Sequence, residues 1–130
     1  MKVEDLMPRL LLVEDEESAA EVLATLLELE GFHVTVAANG KRAIEVLEVV
    51  QPALIITDYM MPMMDGVEMA KAIRTMPAYA TVPILMTSGV AEAALKQYDA
   101  LLSAFLRKPF RIEALLEVIR RLLGNVNSIA

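Results

Sequence analysis

The chain has 130 residues, 56% of them hydrophobic, with a formal net charge of −6 and no cysteine. That composition suits a single domain with a real core rather than a disordered segment, and it excludes disulfide scaffolds and thiolate metal sites. A general nucleic-acid surface would need clustered Lys and Arg, a membrane span roughly 18–20 apolar residues, and a signal peptide a basic then apolar start. The net charge of −6 argues against the first, no apolar run approaches the second, and MKVEDLMPRL has acids where the third would be basic, so a cytoplasmic protein is expected, with no direct nucleic-acid contact and no membrane contact.

RLLLV (9–13) is the first continuously apolar run and reads as a buried strand. Ser18 to Glu30 carries Ala19, Val22, Leu23, Leu26 and Leu27 at helical spacing, and Gly31 stops it. HVTVA (33–37) alternates weakly, as an edge strand would, and Asn39-Gly40 is a turn signal. Residues 41–50 are expected to be helical with Ile44 and Leu47 inward, closed by Gln51-Pro52.

Strand 53–57 follows, then the loop YMMPMM, then a helix over 66–75 with Asp65 as N-cap and Glu68 at the capping-box position. The fourth strand covers 83–87, a weaker helix about 91–101, and the fifth strand 104–107. A final helix over 111–123 places Ile112, Leu115, Leu116, Ile119 and Leu123 on one face. Residues 1–7 read as an N-terminal extension and 124–130 as a tail.

Five strand–helix repeats predict an α/β fold: a doubly wound parallel sheet in strand order 2-1-3-4-5, with five helices on its two faces. Such folds bind their ligands beyond the carboxyl ends of the strands, at the switch point of strand order. Here the first strand runs into Glu14-Asp15-Glu16, the third into Asp58, the fourth into Ser88 and the fifth into Lys108-Pro109. Carboxylates brought together repel unless a hard cation compensates, and Mg²⁺ takes carboxylate oxygens, waters and phosphate. Asp15 and Asp58 are the expected direct ligands, with Glu14 acting through water. Asp58 could accept a phosphoryl group as a carboxylate nucleophile, with the Lys108 ammonium and the Ser88 hydroxyl facing the transferring oxygens. Acids at 14–17 also suit a helix start by themselves, but that does not explain a second acidic strand end beside them.

These residues resemble the receiver domain of bacterial two-component response regulators over about residues 8–123. LLVEDEES is similar to that family's acidic metal-binding motif and IITDYMMPMMDG to its phosphoacceptor motif. PILMTSG is similar to its fourth-strand switch motif and FLRKPF to its lysine-proline motif. The resemblance implies phosphorylation of Asp58 by a histidine kinase or histidine phosphotransfer partner. It implies Mg²⁺ held by Glu14, Asp15, Asp58 and the Met60 carbonyl, Lys108 against the phosphoryl group, and room for a cis bond to Pro109. Ser88 would swing toward the phosphoryl oxygens and Phe105 rotate inward behind it, although Phe105 reads equally well as a core aromatic. Ser88 is taken as the switch hydroxyl and its neighbour Thr87 as interior.

Met60 and Val90 stand where the family often has polar groups, which implies slow loss of the phosphoryl group. LLSAF lacks the usual Gly-Ala, so the fourth helix is expected to be short or shifted. The resemblance implies a phosphoacceptor switch rather than an enzyme, monomeric or a phosphorylation-linked dimer, with output through a partner protein or a segment outside this chain. A degenerate, binding-only receiver, a phosphohydrolase and a flavin carrier are the competing readings. The phosphohydrolase wants a second acid where Met60 stands, and the acids after the first strand would repel a flavin phosphate. Tyr59, Tyr79 and Tyr98 read as rim aromatics, His33 as a half-exposed strand residue, and Glu117 with Arg121 as a surface pair.

Overall fold

The computed structural model describes residues 7–127. Residues 1–6 of the expected extension and 128–130 of the tail lie outside the described part. Five parallel strands, β1 (Arg9–Val13), β2 (His33–Ala37), β3 (Leu54–Asp58), β4 (Ile84–Ser88) and β5 (Ala104–Arg107), form one sheet in the order β2-β1-β3-β4-β5. Helices α1 (Glu17–Leu29), α2 (Gly40–Val50), α3 (Gly66–Arg74) and α4 (Ile112–Asn127) cover it, and a 3₁₀ helix (Glu92–Tyr98) links β4 to β5. The expected fold is present, with a helical segment in each of the four crossings and a fifth helix after β5.

The continuously apolar strands use both faces. Leu11, Val13, Ile55 and Ile84 pack toward Ala43 and Leu47 of α2 and Met69 and Ile73 of α3. The alternate residues Leu10, Leu12, Leu54, Ile56 and Leu85 pack with Leu27 of α1 and Leu115, Ile119 and Leu123 of α4. Fully burying each such side chain contributes about 1.5–3 kcal/mol, so two faces filled from single runs fix the register firmly. That register sets Val13 beside Thr57, Asp58 beside Thr87 and Ser88 beside Arg107. The carboxyl ends of β1, β3, β4 and β5 therefore share one edge.

Local chemistry sets the helix ends. The Asn39 side chain accepts from the Arg42 N–H and so caps α2, a role beyond the turn read from the sequence. Gln51 closes α2 at φ 49. The Asp65–Glu68 capping box is present in full.

Five expectations need correction. The weaker helix is a 3₁₀ run, not an α-helix: Ala91 offers no side-chain cap, and Leu95, Tyr98 and Leu101 recur every three residues, the 3₁₀ period. α4 continues through Gly124 to Asn127, because an interior glycine weakens a helix without ending it. Tyr79 is buried, its hydroxyl donating to the Leu47 carbonyl at 3.0 Å, so it is a core anchor. Arg120 pairs with Glu30 at the end of α1 (3.3 Å), which accounts for the charge on that face better than the expected Glu117–Arg121 pair. On α1, Val22 and Leu26 of the expected apolar face are 61% and 37% exposed, whereas Ala20 and Leu27 are buried.

Candidate functional site: the acidic edge of the sheet

Glu14 follows the last residue of β1, and its N–H donates to the Ala37 carbonyl of β2 (3.1 Å), which carries the β1–β2 pairing one step past the strand. Asp58 ends β3; its Oδ1 accepts from the Tyr59 N–H at 2.9 Å. Asp15 is exposed, and Glu14 and Asp58 are part-buried. One carboxylate oxygen from each of Glu14, Asp15 and Asp58 lies within 4.8 Å of the others. The three acids expected to meet do meet.

Lys108 leaves the end of β5, its N–H donating to the Ser88 carbonyl at 2.8 Å. Its Nζ lies 3.2 Å from Asp58 Oδ2 and 3.8 Å from Glu14 Oε2. The Lys108–Pro109 bond is cis. Burial pushes the Glu14 carboxyl above its ordinary value of 4.5, and Asp58 and Asp15 add to the rise while Lys108 opposes it. An acid crowded and dried in this way favours an added cation.

Glu16 has a different task. Its side chain accepts from the Ala19 N–H at 2.8 Å and from Ser18 Oγ at 2.6 Å, so it caps α1. The Ser18 hydroxyl, followed by the Ala19 N–H, holds the Glu16 carboxyl below its ordinary value. The helix-start explanation of the acidic run is therefore right for Glu16, while Glu14 and Asp15 face the crevice.

Ser88 is fully buried and its Oγ accepts from the Val90 N–H at 3.1 Å. Thr87 is interior as expected, 4% exposed, but it also lines the crevice with Asp58, Lys108 and Phe110. The alternation of β4 could have shown this, because Thr87 lies beside Asp58 in register. Phe105 is half-buried beside Met86 of β4 and Leu95. In the loop over Asp58, Met61 is buried and Met64 packs against the hydrophobic core, while Met60 and Met63 are 65% and 79% exposed. Among the described residues no donor bonds to the Met60 carbonyl. Gly66 closes this loop: its N–H donates to the Tyr59 carbonyl at 2.8 Å, and a Cβ there would sit 2.5 Å from the Asp58 carbonyl oxygen. An open groove of about 420 Å³ runs from Asp58 and Lys108 along Leu23 and Leu26 of α1.

The sequence model of the family described as "Response regulator receiver domain" matches residues 10–120. RpaA of Synechocystis sp., described as a DNA-binding dual master transcriptional regulator, is 30% identical over 125 residues, or 95% of this chain and 52% of that protein. The chain spans about half the length of the first curated relatives it matches. Among solved structures, the chemotaxis protein CheY4 of Vibrio cholerae is 34% identical with a TM-score of 0.85, covering 90% of this chain and 99% of that one. The response regulator TrrA of Thermotoga maritima, solved in complex with Mg²⁺ and BeF, is 27% identical with a TM-score of 0.81, covering 90% and 100%.

Proposed function

This chain belongs to the response regulator receiver family, and on that premise we propose that it is a phosphorelay switch taking a phosphoryl group on Asp58 from a histidine kinase or histidine phosphotransfer partner. The observation that carries the reading is the convergence of Glu14, Asp15, Asp58 and Lys108 at one sheet edge. An Asp58 carboxylate oxygen attacks the phosphorus of the donor's phosphohistidine, the N–P bond breaks, and the nitrogen keeps the electron pair. The product is an acyl phosphate. Lys108, already at hydrogen-bonding range of Asp58, offsets charge on the transferring oxygens.

The donor set fits Mg²⁺: three carboxylate oxygens in reach of one another and a backbone carbonyl at Met60, all hard oxygen ligands. Glu14, Asp15, Asp58 and Met60 would hold the ion, which when bound supplies positive charge against the phosphoryl oxygens. The Ser88 hydroxyl then leaves the Val90 N–H for a phosphoryl oxygen, and Phe105 moves inward beside Met86. The local charge change thus biases a two-state element.

The chain works as a phosphoacceptor that controls a partner protein or an output segment outside it, rather than as a turnover enzyme, and it is expected in the cytoplasm. Among the described residues no helix is long and apolar enough to cross a membrane. A binding-only receiver is the competing reading; the Lys108–Asp58 contact and the three-acid cluster weigh against it. Incubation with phosphoramidate, with and without Mg²⁺, followed by intact mass, separates the two. A metal-dependent phosphate adduct, absent in Asp58→Asn, is expected; no adduct under any condition would leave the binding-only reading.

A further inference from the structure

The link from β4 to β5 is held differently at its two ends. At its start Ala91 supplies no cap, and among the described residues the Val90 N–H is bound only by Ser88 Oγ, at 3.1 Å. The first bond of the 3₁₀ run, from the Ala94 N–H to the Ala91 carbonyl, follows directly. At its end the Asp99 and Leu101 N–H groups donate to Lys96 and Tyr98, and the Leu101 carbonyl then receives two donors from Arg74 of α3. Arg74 Nε lies 3.1 Å and Nη2 2.9 Å from that oxygen, while Nη1 donates to the Tyr79 carbonyl at 3.1 Å. The Lys71 ammonium, one turn earlier on α3, stands 5.5 Å from the Tyr98 ring centre. Just beyond, Ser103 is tied to Ile84 of β4 through both its N–H and its hydroxyl.

One neutral hydroxyl therefore secures the start, and a guanidinium fork, a cation–π contact and a serine clamp secure the end. Charge-assisted bonds are roughly twice as strong as neutral ones, and 3₁₀ hydrogen bonds are poorer than α-helical ones. Releasing Ser88 should loosen the start while the end stays in place. We propose that Arg74 is the positioning residue of the switch: it pins the link at the Leu101 carbonyl, so that phosphorylation swings the Val90 end about a fixed Leu101 end. The proposal rests on the phosphoacceptor reading, since it needs Ser88 to exchange the Val90 N–H for a phosphoryl oxygen.

Residue-resolved amide exchange on the full chain, with and without Mg²⁺ and beryllofluoride as the phosphoryl mimic, tests it. In the parent, Val90 and Ala94 should exchange roughly two- to tenfold faster with the mimic, the worth of one lost neutral hydrogen bond. Asp99 and Leu101 should not change. In Arg74→Met the mimic-dependent increase should spread to Asp99 and Leu101, and Arg74→Lys, which keeps the charge and a donor, should confine it again in part. Ser88→Ala should show fast Val90 exchange without any mimic. A response confined to the start in Arg74→Met, or equal at both ends in the parent, overturns the proposal. Should Arg74→Met fail to fold, Arg74→Lys carries the comparison alone, and an unchanged pattern there overturns it equally. A parent that phosphoramidate labels at Asp58 but that exchanges uniformly removes the pivot only. A parent that takes no label removes the phosphoacceptor reading and the pivot with it.

Discussion

Lys108 Nζ sits 3.2 Å from Asp58 Oδ2 and 3.8 Å from Glu14 Oε2, one ammonium serving two carboxylates that reach it from different strands. Its N–H is held by the Ser88 carbonyl, so the cation is fixed to the strand that carries the Ser88 hydroxyl. Replacing Lys108 by Met keeps the stem and removes the charge. The rate of labelling by phosphoramidate should fall by about 10²-fold, the order seen when one preorganised donor is lost. A variant labelled as fast as the parent would assign the ammonium a purely structural role.

Burial makes Glu14 a pH-dependent element. Its folded pKa is raised above 4.5, so the protonated form is favoured in the fold. Its contribution to stability is complete below that value and is lost as pH rises through the higher folded pKa. Without metal, the parent should lose stability relative to Glu14→Gln as pH climbs from about 4.5 toward neutrality. Denaturant midpoints across that range measure the difference. Parallel profiles for the two proteins would refute it.

Metal binding should show in stability as well as in labelling. A ligand at about 100 times its Kd adds about 2.7 kcal/mol, so the unfolding midpoint should rise with Mg²⁺ concentration at neutral pH. Asp15 is exposed and is not part of the core, so Asp15→Asn should leave the metal-free midpoint nearly unchanged while flattening the response. An undiminished response would place the ion elsewhere.

Gly66 is required by space. A Cβ would lie 2.5 Å from the Asp58 carbonyl oxygen and 2.7 Å from Met86 Cε, and the first contact is backbone that cannot yield cheaply. Gly66→Ala should destabilise by about 1–3 kcal/mol through overpacking and weaken Mg²⁺ binding by displacing Asp58. Calorimetry of fold and metal binding would reveal whether both fall together.

Neither Met60, 65% exposed, nor Val90, half-buried, can orient a water near Asp58. The double variant Met60→Asn with Val90→Glu should shed its phosphoryl group about tenfold faster or more, since a positioned base contributes at least that much. Decay of the adduct followed by intact mass gives the comparison. Equal lifetimes would show that those positions do not control hydrolysis here.

The sheet and its reactive edge were legible because short apolar runs alternating with helical segments specify a parallel sheet covered on both faces. Each run also ended in a charged or hydroxyl residue at the same level of the sheet. Contacts across long sequence gaps left no such trace. Arg74 meets the Leu101 carbonyl across 27 residues, and nothing in IRTM announces it. Tyr79 looked like a rim aromatic because a hydroxyl suits either surface or core, until a partner as remote as the Leu47 carbonyl is known. Helical period marked an apolar stripe on α1 but could not say that Val22 and Leu26 would stay open beside the groove. The 3₁₀ character of the fourth crossing was visible, in retrospect, in the three-residue spacing of Leu95, Tyr98 and Leu101.

Every step of the proposed switch requires that Asp58 become the acyl phosphate. Borohydride reduction of phosphoramidate-treated protein, followed by peptide sequencing in the mass spectrometer, tests it most directly, because an acyl phosphate on aspartate is reduced to homoserine at the labelled position. The expected result is homoserine at position 58 alone, formed only with Mg²⁺ and blocked in Lys108→Met at short times. Phosphate retained on Ser88 or His33, or homoserine at position 15, would contradict it.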